Sequence, residues 1–409
     1  MTIQEFRKQF PVLDREVYGK PLVYLDSAAT SQRPSAVVEM QSSLALQHNG
    51  NVHRAVHRLS AEATDAYESA RDAVRELINA ESREEIIFTS GTTASINLVA
   101  CSFGEKYISE GDEIIIAESE HHSNIVPWQL LAERKAARVV VLPVDYNGRI
   151  EVEKLPSLIT PRTKIICVAH VSNVTGLVAP VDEIIRVAHN AGVKVLVDGA
   201  QGIVHQVPDV QKLNCDFYAF SAHKMYGATG VGVLYGKKSL LEDMPPFMGG
   251  GEMIDKVDWE QTTFDVLPYK FEAGTPNFNS VPTLVPASEL LKLTQSDAEL
   301  IAQVEDIKSF VYQSLIADER IQLRGVCEDL SLKTPIFSFN VKGAHHEDLA
   351  QLLDKMGYAL RSGHMCAQPL MRHFGVSGML RASFGPYNTM QEAEGFITAL
   401  DRAIKMLTV

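Results

Sequence analysis

Cysteine is scarce in this chain, five in 409 residues, odd in number, widely separated and never spaced C-x-x-C. That argues against a disulfide framework or a zinc ribbon and predicts a reducing, cytoplasmic setting with no metal site. Long apolar runs are missing too: none approaches the roughly 18 residues that a bilayer-spanning helix needs. The opening Met1-Thr2-Ile3-Gln4-Glu5-Phe6-Arg7-Lys8 lacks the apolar core of a secretory signal. Basic residues are in deficit, 38 Lys and Arg against 51 Asp and Glu, which disfavours nucleic acid as the main partner. There is no G-x-x-x-x-G-K-[ST] phosphate loop, no internal repeat and no low-complexity segment.

What is present is an ordinary globular composition over a length sufficient for two domains. Ala63, Ala66, Tyr67, Ala70, Val74, Leu77 and Ile78 keep the 3.6-residue period of an amphipathic helix over about 61–79. Strands are expected near 85–89, 113–117, 138–142, 164–170, 193–197 and 216–220. Helices at 94–107, 124–137 and 181–191 alternate with them. This β-α-β rhythm predicts a mostly parallel sheet with helices on both faces. Gly230 to Tyr235 follows too closely to make a parallel crossover, so that strand is expected to run antiparallel. Residues 245–280, rich in Gly, Pro, Asn and aromatics, read as loops without regular structure. Long helices over 283–317, a strand at 336–341 and helices at 346–356 and 390–407 then suggest a smaller α+β domain.

Polar groups gather where the strands end. Leu196-Val197-Asp198-Gly199-Ala200-Gln201 and Phe217 to Lys224 each begin as buried strands and finish in polar residues. The acid Asp198 and the amine Lys224 are compatible with an ion pair, a Schiff-base site or a chance proximity. Ser90-Gly91-Thr92-Thr93 lies between strand and helix, where it forms either an anion site or a simple helix cap. His121, in Glu120-His121-His122, suits stacking on a planar ligand or acid–base work, and Asn173 ends the next strand. Several strand ends converging on one edge point to a built site. Far along the chain, Arg361-Ser362-Gly363-His364-Met365-Cys366-Ala367 carries a cysteine whose Arg and His neighbours favour the thiolate. Cys101, Cys167 and Cys215 read as core residues, and Arg381 as a carboxylate grip or a structural ion pair.

Ser221-Ala222-His223-Lys224, Asp198-Gly199-Ala200-Gln201, Glu120-His121-His122 and the R-x-G-x-x-C-A run of Arg361–Ala367 together resemble the cysteine desulfurases. These are pyridoxal-phosphate enzymes of aminotransferase class V, and the likeness is to the SufS/CsdA-type group, which includes selenocysteine lyases. The V-H-R…H-x-L-S segment at Val52 to Ser60 agrees, and the resemblance runs from Leu25 to Thr389. It implies an α/β fold of PLP fold type I: a large domain, 25–285, with a mostly parallel seven-stranded sheet, and a small α+β domain, 1–24 with 286–409, carrying the cysteine loop.

The resemblance also implies roles. Lys224 would be the Schiff-base lysine, Asp198 the partner of the pyridine nitrogen, His121 the stacking ring and Gln201 the contact to the phenolic oxygen. Thr92, Thr93, Ser221 and His223 would hold the phosphate, with Thr275 reaching the phosphate of a neighbouring subunit in a homodimer. Asn173 and Arg381 would hold the substrate carboxylate, with Arg361 and His53 also among the substrate-binding residues. The reaction implied converts L-cysteine to L-alanine, leaves a persulfide on Cys366 and passes the sulfur to a SufE- or SufU-like acceptor for iron–sulfur cluster assembly. L-selenocysteine is an alternative substrate. A class V aminotransferase, epimerase or kynureninase-like hydrolase would share Lys224 and Asp198 without needing Cys366. A non-catalytic sulfur carrier would use Cys366 without needing a buried lysine.

Overall fold

The computed structural model describes residues 1–53 and 55–408; Arg54 of the Val52–Ser60 segment lies outside the described residues. Seven strands form the main sheet: β1 Ile86–Thr89, β2 Glu113–Ala117, β3 Arg138–Leu142, β4 Thr163–Ala169, β5 Lys194–Asp198, β6 Phe217–Ser221 and β7 Gly232–Gly236. Their spatial order is β1-β7-β6-β5-β4-β2-β3. From β6 to β3 every neighbour is parallel, whereas β7 runs antiparallel to both β6 and β1, as its short connection requires.

Side-chain alternation shows why the sheet needs cover on both sides. Along β2, Ile114 and Ile116 belong to one buried cluster and Ile115 and Ala117 to the other; along β4, Ile165 and Cys167 oppose Ile166 and Val168. A strand apolar on both faces is stable only between two helical layers. Helix α1, Arg58–Leu77, supplies part of one layer by burying Ala63, Tyr67, Ala70, Val74 and Leu77 at four- and three-residue steps. Helix α2, Thr92–Tyr107, packs on the other face through Ile96, Val99 and Phe103.

The second sheet is antiparallel: β8 Ile321–Leu323, β9 Ile336–Val341, β10 Arg361–Gly363 and β11 Met379–Ser383, in the order β8-β9-β11-β10. Phe337, Phe339 and Leu380 on this sheet pack with Ile307, Val311, Phe396 and Leu400 from helices in a separate core. The helical stretch expected over 283–317 is two helices, Leu284–Ser296 and Ala298–Ala317. Asp297 ends the first and caps the second, its Oδ1 accepting from the N–H groups of Glu299 and Leu300.

Residues 245–280 are not free of regular structure. Ile254–Val257 pairs antiparallel with Thr262–Phe264 in an exposed hairpin, a conformation that its β-branched and aromatic residues favour. The loop character of the flanking glycines and prolines hides those short strands from a compositional reading.

Candidate active site

The carboxyl ends of β4, β5 and β6, the N-terminus of α2, and the β10 and β11 region surround one cleft of about 560 Å³. Its walls include Thr92, Thr93, His121, Asn173, Asp198, Gln201, Ser221, His223 and Lys224 from the large sheet, with Arg361, Cys366 and Arg381 from the small one. The ladder explains the first group: parallel strands in register bring their ends to one level, so polar residues remote in sequence meet there.

Asp198, the last residue of β5, is buried, and Ala200 N–H donates to its Oδ1 at 2.9 Å. Burial pushes its carboxyl up and the charge of Lys224 pulls it back. Lys224 closes a 3-10 turn directly after β6. Burial brings its amine down to about 8, against the opposing pull of Asp198, so a sizeable neutral fraction exists near neutral pH. The Asp198–Lys224 pair is a coupled one, not a locked contact: no hydrogen bond joins them among the described residues.

The N-terminus of α2 is open. Its cap residue, Gly91, has no side chain to offer; Thr92 N–H donates to Ser221 Oγ at 2.8 Å, and the N–H groups of Thr93 and Ala94 meet no acceptor among the described residues. Gly232 makes the close approach of this turn to β7 possible, because a Cβ there would stand 2.3 Å from Gly91 Cα. Free N–H groups, a helix dipole and the Ser221 and Thr92 hydroxyls form a cradle for an anion.

His121 is held by Ser123, whose N–H donates to Nδ1 at 3.1 Å. That bond makes Nδ1 an acceptor, so the neutral ring carries its proton on Nε2. Burial, with the charge of Lys224, lowers His121 to about 4, which keeps the ring neutral. Beneath it, buried Glu120 accepts from Asn124 Nδ2 at 2.7 Å and Ala169 N–H at 2.8 Å, tying the turn to β4. Burial lifts that carboxyl to about 8. Gln201 donates through Nε2 to Ala28 O at 2.6 Å, and His223 Nδ1 lies 3.2 Å from Thr30 Oγ1.

Cys366 is exposed and stands in the left-handed region, φ +54°, directly after Met365 at +52°. Each such non-glycine residue costs about 1–2 kcal/mol, so the loop must be held. His122 N–H donates to Cys366 O at 2.7 Å, Gln368 N–H to His122 Nε2 at 3.0 Å, Cys366 N–H to His364 Nδ1 at 3.1 Å, and Asn173 Nδ2 to Met365 O at 2.8 Å. Adjacent side chains of an extended segment point to opposite sides, and that divergence lets His121 line the cleft while His122 clasps the loop.

Asp26 was also missed as a site residue. It contacts both arginines, Arg361 Nη2 at 2.9 Å and Arg381 Nη2 at 3.1 Å. Its partners lie more than 300 residues away in sequence, so no local pattern signals them.

Two expected residues stand apart from the cleft. Thr275 is exposed, on a surface lined with Phe247, Met248 and Phe271. His53 stacks edge-on against Tyr67 and Tyr269, with Nε2 3.2 Å from Glu68 Oε1. Glu68 continues through buried Arg71 to Glu272, three residues before Thr275.

A seven-stranded sheet with an amine, an acid and an anion cradle at its strand ends defines a type I pyridoxal-phosphate fold. The chain belongs to the aminotransferase class-V family, whose model matches residues 23–396. It is 45% identical to a probable cysteine desulfurase of Vibrio cholerae, with 100% of both sequences covered. Among solved structures it is similar to the cysteine desulfurase CsdA of Escherichia coli, with a TM-score of 0.89, 42% identity and coverage of 100% and 99% of the two chains. A cysteine desulfurase of Thermococcus onnurineus NA1 gives a TM-score of 0.93 at 35% identity, with the same coverage.

Proposed function

We propose that this protein is a cysteine desulfurase that uses pyridoxal phosphate to convert L-cysteine to L-alanine. The observation that carries the reading is the exposed thiol of Cys366 opening into the same cleft as Lys224 and Asp198. The groups present fit the cofactor: an amine for its aldehyde, a buried acid for its ring nitrogen, a neutral imidazole for its face, and free N–H groups at a helix N-terminus for its phosphate. Thr92, Thr93, Ser221 and His223 would hold that phosphate and Gln201 the phenolic oxygen. When bound, pyridoxal phosphate supplies an electron sink that makes the substrate Cα–H acidic.

The chain's own groups do the rest. Lys224 Nζ, low in basicity for a lysine, takes the Cα proton. Asp198, buried at the end of its strand, would hold the ring nitrogen of the cofactor and favour its protonated form. His121 offers its Nε2 proton inside the cleft. Arg381 and Asn173, with Arg361, receive the α-carboxylate. Cys366 attacks the substrate sulfur as a thiolate: an S–S bond forms, the Cβ–S bond breaks, and the electron pair stays with the three-carbon fragment that protonation turns into alanine. The persulfide then passes to a SufE- or SufU-like acceptor protein for iron–sulfur cluster assembly, a transfer that the exposure of Cys366 supports. L-selenocysteine fits the same groups and is a further substrate in this reading.

A homodimer accounts for Thr275 and for the apolar residues Val257, Trp259 and Phe264 exposed on the hairpin. In it, Thr275 would reach the phosphate site of a second copy, and His53 would serve the substrate. The division into a large domain, 25–285, and a small one, 1–24 with 286–409, fits the two sheets. No helix among the described residues is long and apolar enough to cross a membrane. The scarce, unpaired cysteines suit a reducing cytoplasm, to which we assign the protein.

Cys366→Ser tests the reading. The variant is expected to take up pyridoxal phosphate, seen in its visible absorption, yet form no protein persulfide and release no sulfur from L-cysteine. Wild-type sulfur release by that variant would refute the role of Cys366.

A further inference from the structure

Arg361 and Arg381 are direct partners across the antiparallel pair β10–β11. Like charges opposite each other repel unless an anion separates them. That anion is Asp26: Oδ1 accepts from Arg381 Nη2 at 3.1 Å and Oδ2 stands 2.9 Å from Arg361 Nη2. Asp26 is itself fixed to the small sheet. Ser27 N–H donates to Ser383 O, and Ser383 N–H to Leu25 O, on either side of it. Its side chain is only 15% exposed, whereas that of Arg361 is 48% exposed.

Arg381 is buried and half committed. Nη2 goes to Asp26 and Nη1 donates to Asn173 O at 2.9 Å, while buried Nε has no partner among the described residues. A guanidinium has five donors, and a buried donor left unpaired is unfavourable. Nε is closed off from the cleft, so the donors that Arg381 has left for an acceptor on the cleft wall are the second hydrogens of Nη1 and Nη2. Two guanidinium charges against one carboxylate leave a single positive charge, which one incoming carboxylate balances.

We propose that Asp26 is a positioning residue for substrate recognition, anchoring both arginines so that the open donors of Arg381 receive the α-carboxylate of the amino acid in the cleft. Asp26 touches no substrate atom; it acts through the guanidinium groups. Without it Arg361 and Arg381 repel across the sheet, and Arg381 keeps only Asn173 O to set its direction. The inference rests on the reading of the cleft as a pyridoxal-phosphate amino-acid site.

The test compares L-alanine with L-alaninol, which lacks the carboxylate, binding to holoenzyme and followed in the visible absorption of the cofactor. Asp26→Ala is expected to weaken L-alanine by about tenfold to a hundredfold, the scale of one charge-assisted hydrogen bond, and to leave L-alaninol unaffected. KM for L-cysteine should rise by more than kcat falls. Asp26→Asn, equal in size and still an acceptor, should lose less and guards against misfolding of the alanine variant. Equal weakening of both ligands, or unchanged L-alanine affinity, overturns the proposal. A wild-type protein that releases no sulfur from cysteine would defeat the desulfurase reading alone; the ligand contrast needs no turnover and still decides the role of Asp26.

Discussion

Asp198 and Lys224 stand at the ends of paired strands, drawn partly or wholly out of water, while Cys366 stands on an exposed loop held by a few side-chain hydrogen bonds. The contrast follows from what each group does in the proposed reaction. Taking a proton from carbon needs an amine that is neutral at the working pH, and burial lowers an ammonium pKa. Handing sulfur to another protein needs a reachable atom, and reachability removes the burial that would rigidify it. The first region gets its order from the sheet ladder. The second gets it from two imidazole acceptors and one amide donor fastened to backbone groups, offsetting two left-handed residues.

Breaking the buried half should have the largest effect. Lys224→Ala is expected to abolish turnover, with alanine formation from cysteine down by about 10⁴-fold or more, the upper range for loss of a general base; full activity in that variant would sink the assignment. A milder probe is pH. An amine attacks an aldehyde only when neutral, so the cofactor-free protein should take up pyridoxal phosphate faster as pH rises through about 8 and then level off, read as growth of visible absorption. A midpoint near 10.5, the ordinary lysine value, would mean that burial does not activate Lys224. Stability moves in the same direction. The folded pKa lies below the unfolded one, so between about 8 and 10.5 the unfolded chain binds more protons and Lys224 makes the cofactor-free protein more stable as pH rises. The smallest effect belongs to the exposed half. His122→Ala removes the acceptor of Gln368 N–H but keeps the backbone bond to Cys366 O, so hydrogen exchange at the Gln368 amide should quicken by about fivefold to tenfold, the worth of one hydrogen bond. An unchanged exchange rate would show that the loop does not depend on this clasp.

Much of the large sheet was legible because its signals are local. Glu113–Ala117 and Arg138–Leu142 fall where their apolar runs predict, and the reversed strand at Gly232 follows from a connection too short for a crossover. The gathering of polar strand ends was legible for the same reason. What stayed hidden depends on long-range contact. Nothing near Asp26 announces two arginines, and nothing near His122 announces the backbone of Gln368. The hairpin at Ile254–Phe264 was masked by neighbouring glycines and prolines.

The bond between Asp26 and Arg381 spans 355 residues of chain. Synthesis runs from the N-terminus, and domains fold as they emerge. The stretch holding Asp198 and Lys224 is therefore complete while Arg361, Cys366 and Arg381 have yet to be made. During that interval Asp26 waits without its arginine partners. The nascent protein thus acquires the amine well before the thiol of Cys366, so biosynthetic timing keeps that thiol out of the growing pocket until the wall that carries it arrives.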